Sequence, residues 1–145
     1  MKTQIRNKVI ISVIHQGQVL LAEGYDPHRE FLFYIPVGGG VEFGETLEAA
    51  AKRELFEELG ITAHALQFLG FHESHFEYQG IPEHEIMFHY LCPIDDSVRD
   101  ALPETGTESD GVPFKVLWFS RDELATVKQQ LVPPGIYEPL QSQLQ

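Results

Sequence analysis

The sequence has little of what several large protein classes require. Cys92 is the only cysteine among 145 residues, which excludes an intramolecular disulfide framework and fits a reducing cytoplasm. No apolar run approaches the roughly 20 residues that a membrane-spanning helix needs. The basic and then apolar N-terminus alternates and is broken at Ser12 and at residues 15–17, which favours a hairpin strand over an export signal. We therefore expect a cytoplasmic protein without a membrane segment.

Positive charge is also scarce. Ten lysines and arginines stand against 22 aspartates and glutamates, which gives a formal net charge of −12. Because nucleic-acid binding depends on basic side chains that neutralise phosphates, this balance argues against a broad nucleic-acid surface. A small phosphorylated substrate remains compatible with the charge if metal ions screen the repulsion.

Alternation of apolar and polar residues, together with the turn residues between them, predicts a set of short strands. These strands cover residues 8–14, 19–22, 31–35, 66–71, 85–94 and 114–119. Gln16 and Gly17 form the turn of the first hairpin. The sequence has the length of one ordinary domain and shows no repeat or linker, so we expect residues 1–145 to form a single domain.

Two helices and two loops separate these strands. A helix is predicted over residues 45–59, with Thr46 as a plausible cap. A shorter helix begins at Ser120 and runs to about residue 131. Residues 36–40 predict a loop of unusual geometry, and residues 95–111 an acidic loop of a length that is often functional. The order of strands and helices predicts an α/β fold, with a mixed sheet flanked by helices on both faces.

The first helix carries a cluster of carboxylates. Glu54, Glu57 and Glu58 stand at relative positions zero, three and four, so their side chains project from one face and repel each other. A hard divalent cation would compensate this repulsion. Mg²⁺ takes oxygen ligands and keeps waters and phosphate oxygens in its shell, so the cluster has the form that phosphate chemistry requires.

Neighbouring residues on the same helix would support this cluster. Arg53 lies four residues before Glu57 and could orient its carboxylate, while Glu45 could hold the glycine-rich segment against Arg53. Leu55 and Leu59 form an apolar stripe that would dock the helix on the sheet. Packing would thereby fix the direction in which the glutamates point.

An acidic, solvated surface helix is the simpler interpretation of a fragment such as EELGI, but it does not explain the spacing of residues 39–61. That spacing matches the signature of the Nudix hydrolases position for position, and its chance occurrence in a given window is on the order of 10⁻⁹ at average residue usage. The matching residues are Gly39, Glu45, Arg53, Glu54, Leu55, Glu57, Glu58, Gly60 and Ile61. Residues 19–21 and 117–124, and Pro133, also resemble this MutT-like family. One departure is that Val37 precedes Gly38, where many members have proline.

The resemblance implies an α/β/α sandwich, and it implies hydrolysis of a nucleoside diphosphate linked to another moiety, with Mg²⁺ or Mn²⁺ activation. The implied metal ligands are Glu54, Glu57 and Glu58 together with the backbone carbonyl of Gly39. Glu57, Glu54 and Arg53 are the implied catalytic residues, and Glu45, Gly38 and Gly60 would support the site. The substrate would be a small nucleotide derivative, and a homodimer is plausible by analogy.

Many members use a further glutamate from outside the signature as metal ligand or general base. Glu108 and Glu104 in the acidic loop and Glu85 on the preceding strand are the candidates, and Glu108 is preferred from its position before the strand that contains Trp118. A solvated charge without a catalytic role is an equally good interpretation of each.

Four histidines lie within 18 residues of each other and could indicate a zinc site. They are His72, His75, His84 and His89. Their spacing matches no familiar zinc pattern and no thiolate lies nearby, so they are interpreted as surface or substrate-contact histidines.

Two other functions remain open. One is a catalytically silent Nudix module that binds a ligand and acts as a regulator. The other is hydrolysis of RNA 5′ ends, which would need a track for the polymer that the acidic composition does not favour. The sequence does not identify the substrate.

Overall fold

The computed structural model describes residues 3–108 and 110–145. Met1, Lys2 and Ser109 lie outside the described residues, so the predicted domain 1–145 and the predicted loop 95–111 are each described except at those positions. The described residues form eight strands: β1 (Ile5–His15), β2 (Gln18–Asp26), β3 (Phe31–Ile35), β4 (Val37–Gly40), β5 (Gln67–Tyr78), β6 (Ile81–Pro93), β7 (Thr105–Thr107) and β8 (Pro113–Ser120).

These strands form one mixed sheet in the order β5-β6-β1-β2-β8-β7, with β3 paired to β2 and β4 paired to β1. The β1–β6 pair is parallel, and it runs from Ile5 opposite His84 to Ile14 opposite Pro93. The other strand pairs are antiparallel. The prediction of a mixed sheet is confirmed.

The helices cover both faces of this sheet. They are α1 (Leu47–Leu59), α2 (Asp96–Ala101), α3 (Arg121–Thr126) and α4 (Tyr137–Gln141), with a short 3₁₀ turn at Lys128–Gln130. On β1, Val9 and Ile11 pack in the core that contains residues of α1, whereas Ile10 packs with Leu124 of α3 and Leu140 of α4. Successive strand residues thus point to opposite helical layers, which confirms the α/β/α sandwich. No helix among the described residues is long and apolar enough to span a membrane.

Helix α1 is positioned as its sequence predicts. The Thr46 hydroxyl accepts a hydrogen bond of 3.1 Å from the Ala49 N–H, and Gly60 closes the helix in the left-handed conformation with φ of 71°. The helix begins two residues later than predicted. Leu55 and Leu59 are buried against the sheet, so one face of α1 is fixed and the carboxylates lie along its edge.

The prediction of a loop at residues 36–40 is wrong in part, because Val37–Gly40 is strand β4. It pairs with β1, with Gly39 opposite Val9 and Gly38 opposite Ile10. A Cβ at Gly38 would collide with the Val9 carbonyl. Glycine is therefore required here for the close approach of two strands rather than for an irregular loop.

The acidic segment 95–111, predicted as a loop, contains a short helix and a short strand. Asp95 caps α2 through a 2.9 Å bond from the Val98 N–H, and Thr105–Thr107 forms β7 against β8. The prediction missed these elements because each is short and polar. Helix α4 was likewise not predicted.

Strands β5 and β6 form a longer hairpin than the sequence indicated. They meet at Gln79 and Gly80, which have positive φ values of 54° and 80°. Polar residues between 72 and 85 concealed the strand pattern, since His and Glu are not typical strand residues. The register places His75 directly opposite His84.

Candidate active site

The candidate active site lies where β4 passes the carboxylate edge of α1. Glu58 is 6% exposed and accepts a hydrogen bond of 2.9 Å from the Gly38 N–H. Burial, together with the nearby carboxylates of Glu108 and Glu54, raises the pKa of Glu58 to about 8. The glycine strand thus holds one carboxylate of the predicted cluster in place by a backbone contact.

Glu54 is the second buried carboxylate, and it lies against Gly39. A Cβ at Gly39 would be 2.6 Å from Glu54 Cδ, so only glycine leaves room for this side chain. Burial raises the pKa of Glu54, while its 2.9 Å bond from Arg53 Nη1 opposes that shift. The Glu54 carboxylate and the Gly39 backbone are therefore immediate neighbours, as the sequence resemblance implied.

Arg53 joins the helix to the glycine strand. Its Nε and Nη2 donate to the two oxygens of Glu45 at 2.7 and 2.9 Å, and Nη2 also donates to the Gly40 carbonyl at 2.9 Å. The bonds from Arg53 to Glu45, together with a bond from the Glu42 N–H, lower the pKa of Glu45 to about 2. Such a bidentate pair has a fixed geometry. The structure thus places Glu45 and Arg53 where the sequence expected them, between α1 and the glycines, with Gly60 at the far end of the helix.

Glu57 faces solvent more than its neighbours do. Its side chain is 45% exposed and lies 3.4 Å from Arg53 Nη1. It lines an open cleft with Gly40, Val41, Glu42, Arg53, Glu54 and Glu108. The cleft leaves these carboxylates open to solvent on one side.

The oxygen ligands at this site are of the kind that a hard cation prefers. The three carboxylates, however, are not as close together as the sequence led us to expect. Glu54, Glu57, Glu58 and the Gly39 carbonyl offer only oxygen ligands, as Mg²⁺ prefers. Among the described residues, however, the three carboxylates do not form a group with ligand atoms all within 4.8 Å of one another. For all three carboxylates to hold a single ion, their side chains would have to rotate or water molecules bound to the ion would have to bridge to them. Mg²⁺ ordinarily keeps several such waters.

The three candidates for a further glutamate occupy different places. Glu108 lines the cleft beside Glu54 and Glu57, and its pKa is raised by burial and by Asp110. Glu104 lies in a separate depression beside Trp118. The structure therefore brings Glu108 to the carboxylates and leaves Glu104 away from them.

Glu85 forms ion pairs with two basic side chains of β1, which the sequence did not indicate. It is 3% exposed, and its Oε2 lies 3.5 Å from Lys8 Nζ and 3.6 Å from Arg6 Nη1. The pairing depends on the parallel β1–β6 register, in which Arg6 is opposite Glu85. Because the sequence does not reveal that β1 and β6 are parallel neighbours, it gives no sign of these contacts.

A cavity of about 300 Å³ adjoins the cleft. Its lining combines basic, acidic and aromatic side chains: Arg6, Lys8, Arg29, Phe33, Ile35, Phe76, Tyr78, Glu83, Glu85, Met87, Glu108 and Val132. Glu108 lines both spaces, and Arg6 Nη2 is 4.0 Å from the Cβ position of Gly40. The cavity and the carboxylate cleft are thus parts of one concave surface.

Together, the mixed sheet between helices and the carboxylates beside a glycine strand define a Nudix-type domain. More specifically, this chain belongs to the NUDIX domain family, whose family model matches residues 5–141. Nudix hydrolases generally use divalent metal ions.

Curated relatives share the family at moderate identity. The oxidized purine nucleoside triphosphate hydrolase of Danio rerio is 30% identical over 117 residues, covering 75% of this chain and 70% of that protein. The mouse (Mus musculus) protein of the same name is 38% identical over 87 residues, covering 60% of this chain and 49% of its own length. The NAD-capped RNA hydrolase NudC of Mycobacterium tuberculosis strain H37Rv is 30% identical over 118 residues, covering 79% of this chain and 33% of that protein. The chain thus spans half or less of the latter two proteins.

Solved structures share the fold. A NUDIX hydrolase from Nitrosomonas europaea superposes with a TM-score of 0.64 at 20% identity, covering 97% of this chain and 88% of that chain. The MutT NUDIX hydrolase from Burkholderia pseudomallei gives a TM-score of 0.61 at 23% identity, covering 84% and 88%.

Proposed function

We propose that this protein is a Mg²⁺-dependent hydrolase, with Mn²⁺ as an alternative ion, which cleaves a pyrophosphate bond in a nucleoside diphosphate linked to another moiety. Residues 1–145 would act as a single domain. The observation that carries the proposal is the closeness of the Glu54 carboxylate to Gly39, where a Cβ would lie 2.6 Å from Glu54 Cδ. Glu54 also lines the cleft with Glu57 and Glu108.

The metal would be held by Glu54, Glu57, Glu58 and the Gly39 carbonyl. When bound, a divalent ion polarises a phosphoryl oxygen and lowers the pKa of a bound water. Burial is the main reason that the pKa values of Glu54 and Glu58 are raised, and it disfavours their charged forms. A divalent ion would stabilise those charged forms. Arg53 keeps Glu54 oriented by its 2.9 Å bond, and Glu45 holds Arg53.

A carboxylate would also remove the proton from the attacking water. Glu108 and Glu57 both line the cleft, and the pKa of Glu108 is raised by burial. A general base is most effective when its pKa approaches the working pH. We therefore favour Glu108 over Glu104 and Glu85, the last of which is already paired with Lys8.

The adjoining cavity would bind the nucleotide. Phe76 and Tyr78 offer aromatic faces to a base, while Arg6 and Lys8 lie between them and the cleft, where a phosphate chain would pass. The relatives are named as hydrolases of oxidized purine nucleoside triphosphates and of NAD-capped RNA. We propose a small nucleotide of this kind, because the net charge of −12 disfavours a long RNA track.

The proposal is tested by a metal-dependent hydrolysis screen. The panel contains nucleoside triphosphates with normal and oxidised purines, ADP-ribose, dinucleoside polyphosphates and nucleotide sugars, each with Mg²⁺, with Mn²⁺ and with chelator. Release of a nucleoside monophosphate only with metal supports the proposal. Tight nucleotide binding with no turnover would instead indicate a silent regulatory module.

The cavity is tested separately with the best substrate. Phe76→Ala removes one stacking surface, which is worth about 1–3 kcal/mol per base, so KM should rise roughly tenfold with kcat little changed. Phe68, which is 51% exposed and lines no part of the cavity, supplies the matched control Phe68→Ala. Equal effects of the two substitutions would place the base elsewhere.

A further inference from the structure

The β5–β6 hairpin brings together three side chains of types that can ligate a metal, away from the carboxylate cleft. His75 on β5 lies directly opposite His84 on β6. Glu73 stands two residues before His75, so it lies on the same face of the sheet and diagonally across from His84. The antiparallel register therefore places two imidazoles and one carboxylate on one face of the hairpin.

The distances between these groups are short. His84 Nε2 lies 2.8 Å from Glu73 Oε2, and the two imidazole rings have centroids 3.9 Å apart with an angle of 31° between their planes. One ligand atom from each residue can be chosen so that all three lie within 4.8 Å of one another. In the described part of the chain, no other group of three His, Cys, Asp or Glu residues meets this criterion.

We propose that Glu73, His75 and His84 form a Zn²⁺ site with an open fourth position. Ligand bonds of about 2.0–2.2 Å in a tetrahedron place neighbouring ligand atoms roughly 3.4 Å apart. The observed group needs only small side-chain rotations to reach this spacing, since paired strands already hold its backbone. Two histidines and one glutamate are a known zinc ligand set that leaves the fourth place for water.

The ligand chemistry separates this site from the carboxylate cleft. Imidazole nitrogens suit zinc and other transition metals, whereas carboxylate and carbonyl oxygens suit Mg²⁺. An ordinary surface ion pair would account for the contact between Glu73 and His84, but it gives no reason for a second nitrogen donor in the same place. His75 is exposed and so is Glu73, which leaves the ion a direct path from solvent.

The position of the site links it to the cavity. Along a strand, successive side chains point to opposite faces. Phe76 on β5 and Glu83 on β6 therefore point away from the Zn²⁺ site, and both line the cavity. A bound ion would cross-link β5 and β6 where these two strands form the wall of the cavity.

The sequence pattern concealed this site because its spacing is set by strand pairing. His75 and His84 are nine residues apart and become neighbours only when the hairpin register is known. The spacing along the chain and the lack of a nearby thiolate therefore led to their interpretation as surface or substrate-contact histidines.

The experiment is a calorimetric titration of the whole protein with ZnCl₂ in excess Mg²⁺, which keeps the carboxylate cleft supplied with its own ion. His75→Ala and His84→Ala are compared with His64→Ala, which changes an exposed histidine outside the hairpin. We expect one equivalent of Zn²⁺ for the wild type and for His64→Ala. Each hairpin substitution should weaken binding at least tenfold, and Glu73→Gln should do the same.

Thermal unfolding gives a second readout. Because an ion that binds the folded state raises Tm, Zn²⁺ should raise Tm for the wild type and for His64→Ala but not for His84→Ala. Unchanged Zn²⁺ affinity in His75→Ala and His84→Ala, or no Zn²⁺ binding by the wild type, would overturn the proposal. Neither measurement uses a substrate, so failure here leaves the proposed hydrolysis untouched.

Discussion

The carboxylate of Glu54 occupies the space that a side chain at position 39 would fill. A Cβ built on Gly39 would lie 2.6 Å from Glu54 Cδ, closer than non-bonded carbon atoms can approach. Gly39, the first residue of the Nudix signature, is therefore proposed to do more than supply a carbonyl oxygen to the metal. Because Gly39 has no side chain, the Glu54 carboxylate of α1 can lie against it.

Gly39→Ala should displace Glu54 while the fold is retained, because the colliding atoms belong to the end of a flexible side chain. We expect a fall of at least tenfold in Mg²⁺ affinity, with a much smaller change in Tm. Gly40→Ala is the matched control, since its Cβ would meet nothing closer than Arg6 Nη2 at 4.0 Å. Metal-titrated activity and Tm of both variants make the comparison, and equal losses would contradict this role for Gly39.

Arg53→Lys should lower activity although it keeps the positive charge. Lysine cannot reproduce the two bonds to Glu45 together with the bond to the Gly40 carbonyl. Loss of such an orienting contact typically costs 10- to 100-fold in metal affinity or activity. Lys52→Arg serves as control, because Lys52 only pairs with Glu48 at an exposed position. Full activity in Arg53→Lys would show that charge alone suffices.

Glu108→Gln should reduce kcat roughly 10²-fold or more if Glu108 acts as general base, with a small change in KM. The substitution is nearly isosteric, so the loop should keep its structure. Glu104→Gln changes a neighbouring glutamate that lines a different depression and should leave kcat within about twofold. If Glu104→Gln were the more damaging change, the assignment of the loop glutamate would be wrong.

The stabilisation of the protein by Mg²⁺ should increase with pH. Burial and neighbouring carboxylates raise the folded-state pKa of Glu58 from 4.5 to about 8. In the metal-free protein, this shift contributes stability below pH 4.5 that is lost as pH rises through about 8. A cation must displace the same proton, so binding strengthens over that range.

The increase in Tm on adding Mg²⁺ should accordingly be larger at pH 8.5 than at pH 6.5. Glu58→Gln should flatten this dependence because it removes the titrating group. A pH-independent increase in the wild type would show that Glu58 is not protonated in the metal-free protein.

The sequence predicted the elements whose signals are local. Helix α1 was found because Thr46 and Gly60 mark its two ends and because Leu55 and Leu59 lie on one face. Strand β3 was predicted with its observed bounds, Phe31–Ile35. The glycine segment was misjudged as a loop, since glycine is permissive along a chain, whereas here the requirement comes from the approach of β1.

The parts of the site that depend on long-range pairing could not be predicted. Spacing along α1 predicted that Glu54, Glu57 and Glu58 share one face, but among the described residues their ligand atoms do not all lie within 4.8 Å of one another. The contact between Glu85 and Lys8 needs the parallel register of β1 and β6, and the approach of Glu108 to Glu58 needs the path of the segment before β8. Neither leaves a periodic pattern in the sequence.

Glu57→Gln tests most directly whether the carboxylates on α1 support metal-dependent hydrolysis. Glu57 is the accessible member of the cluster, so its substitution should not disturb packing. Steady-state kinetics with the best substrate of the panel and saturating Mg²⁺ should show kcat reduced by roughly 10²-fold or more, with Tm unchanged. Glu48→Gln, on the same helix and 61% exposed in its side chain, should keep wild-type kinetics. Wild-type turnover in Glu57→Gln, or turnover that persists in chelator, would contradict the account.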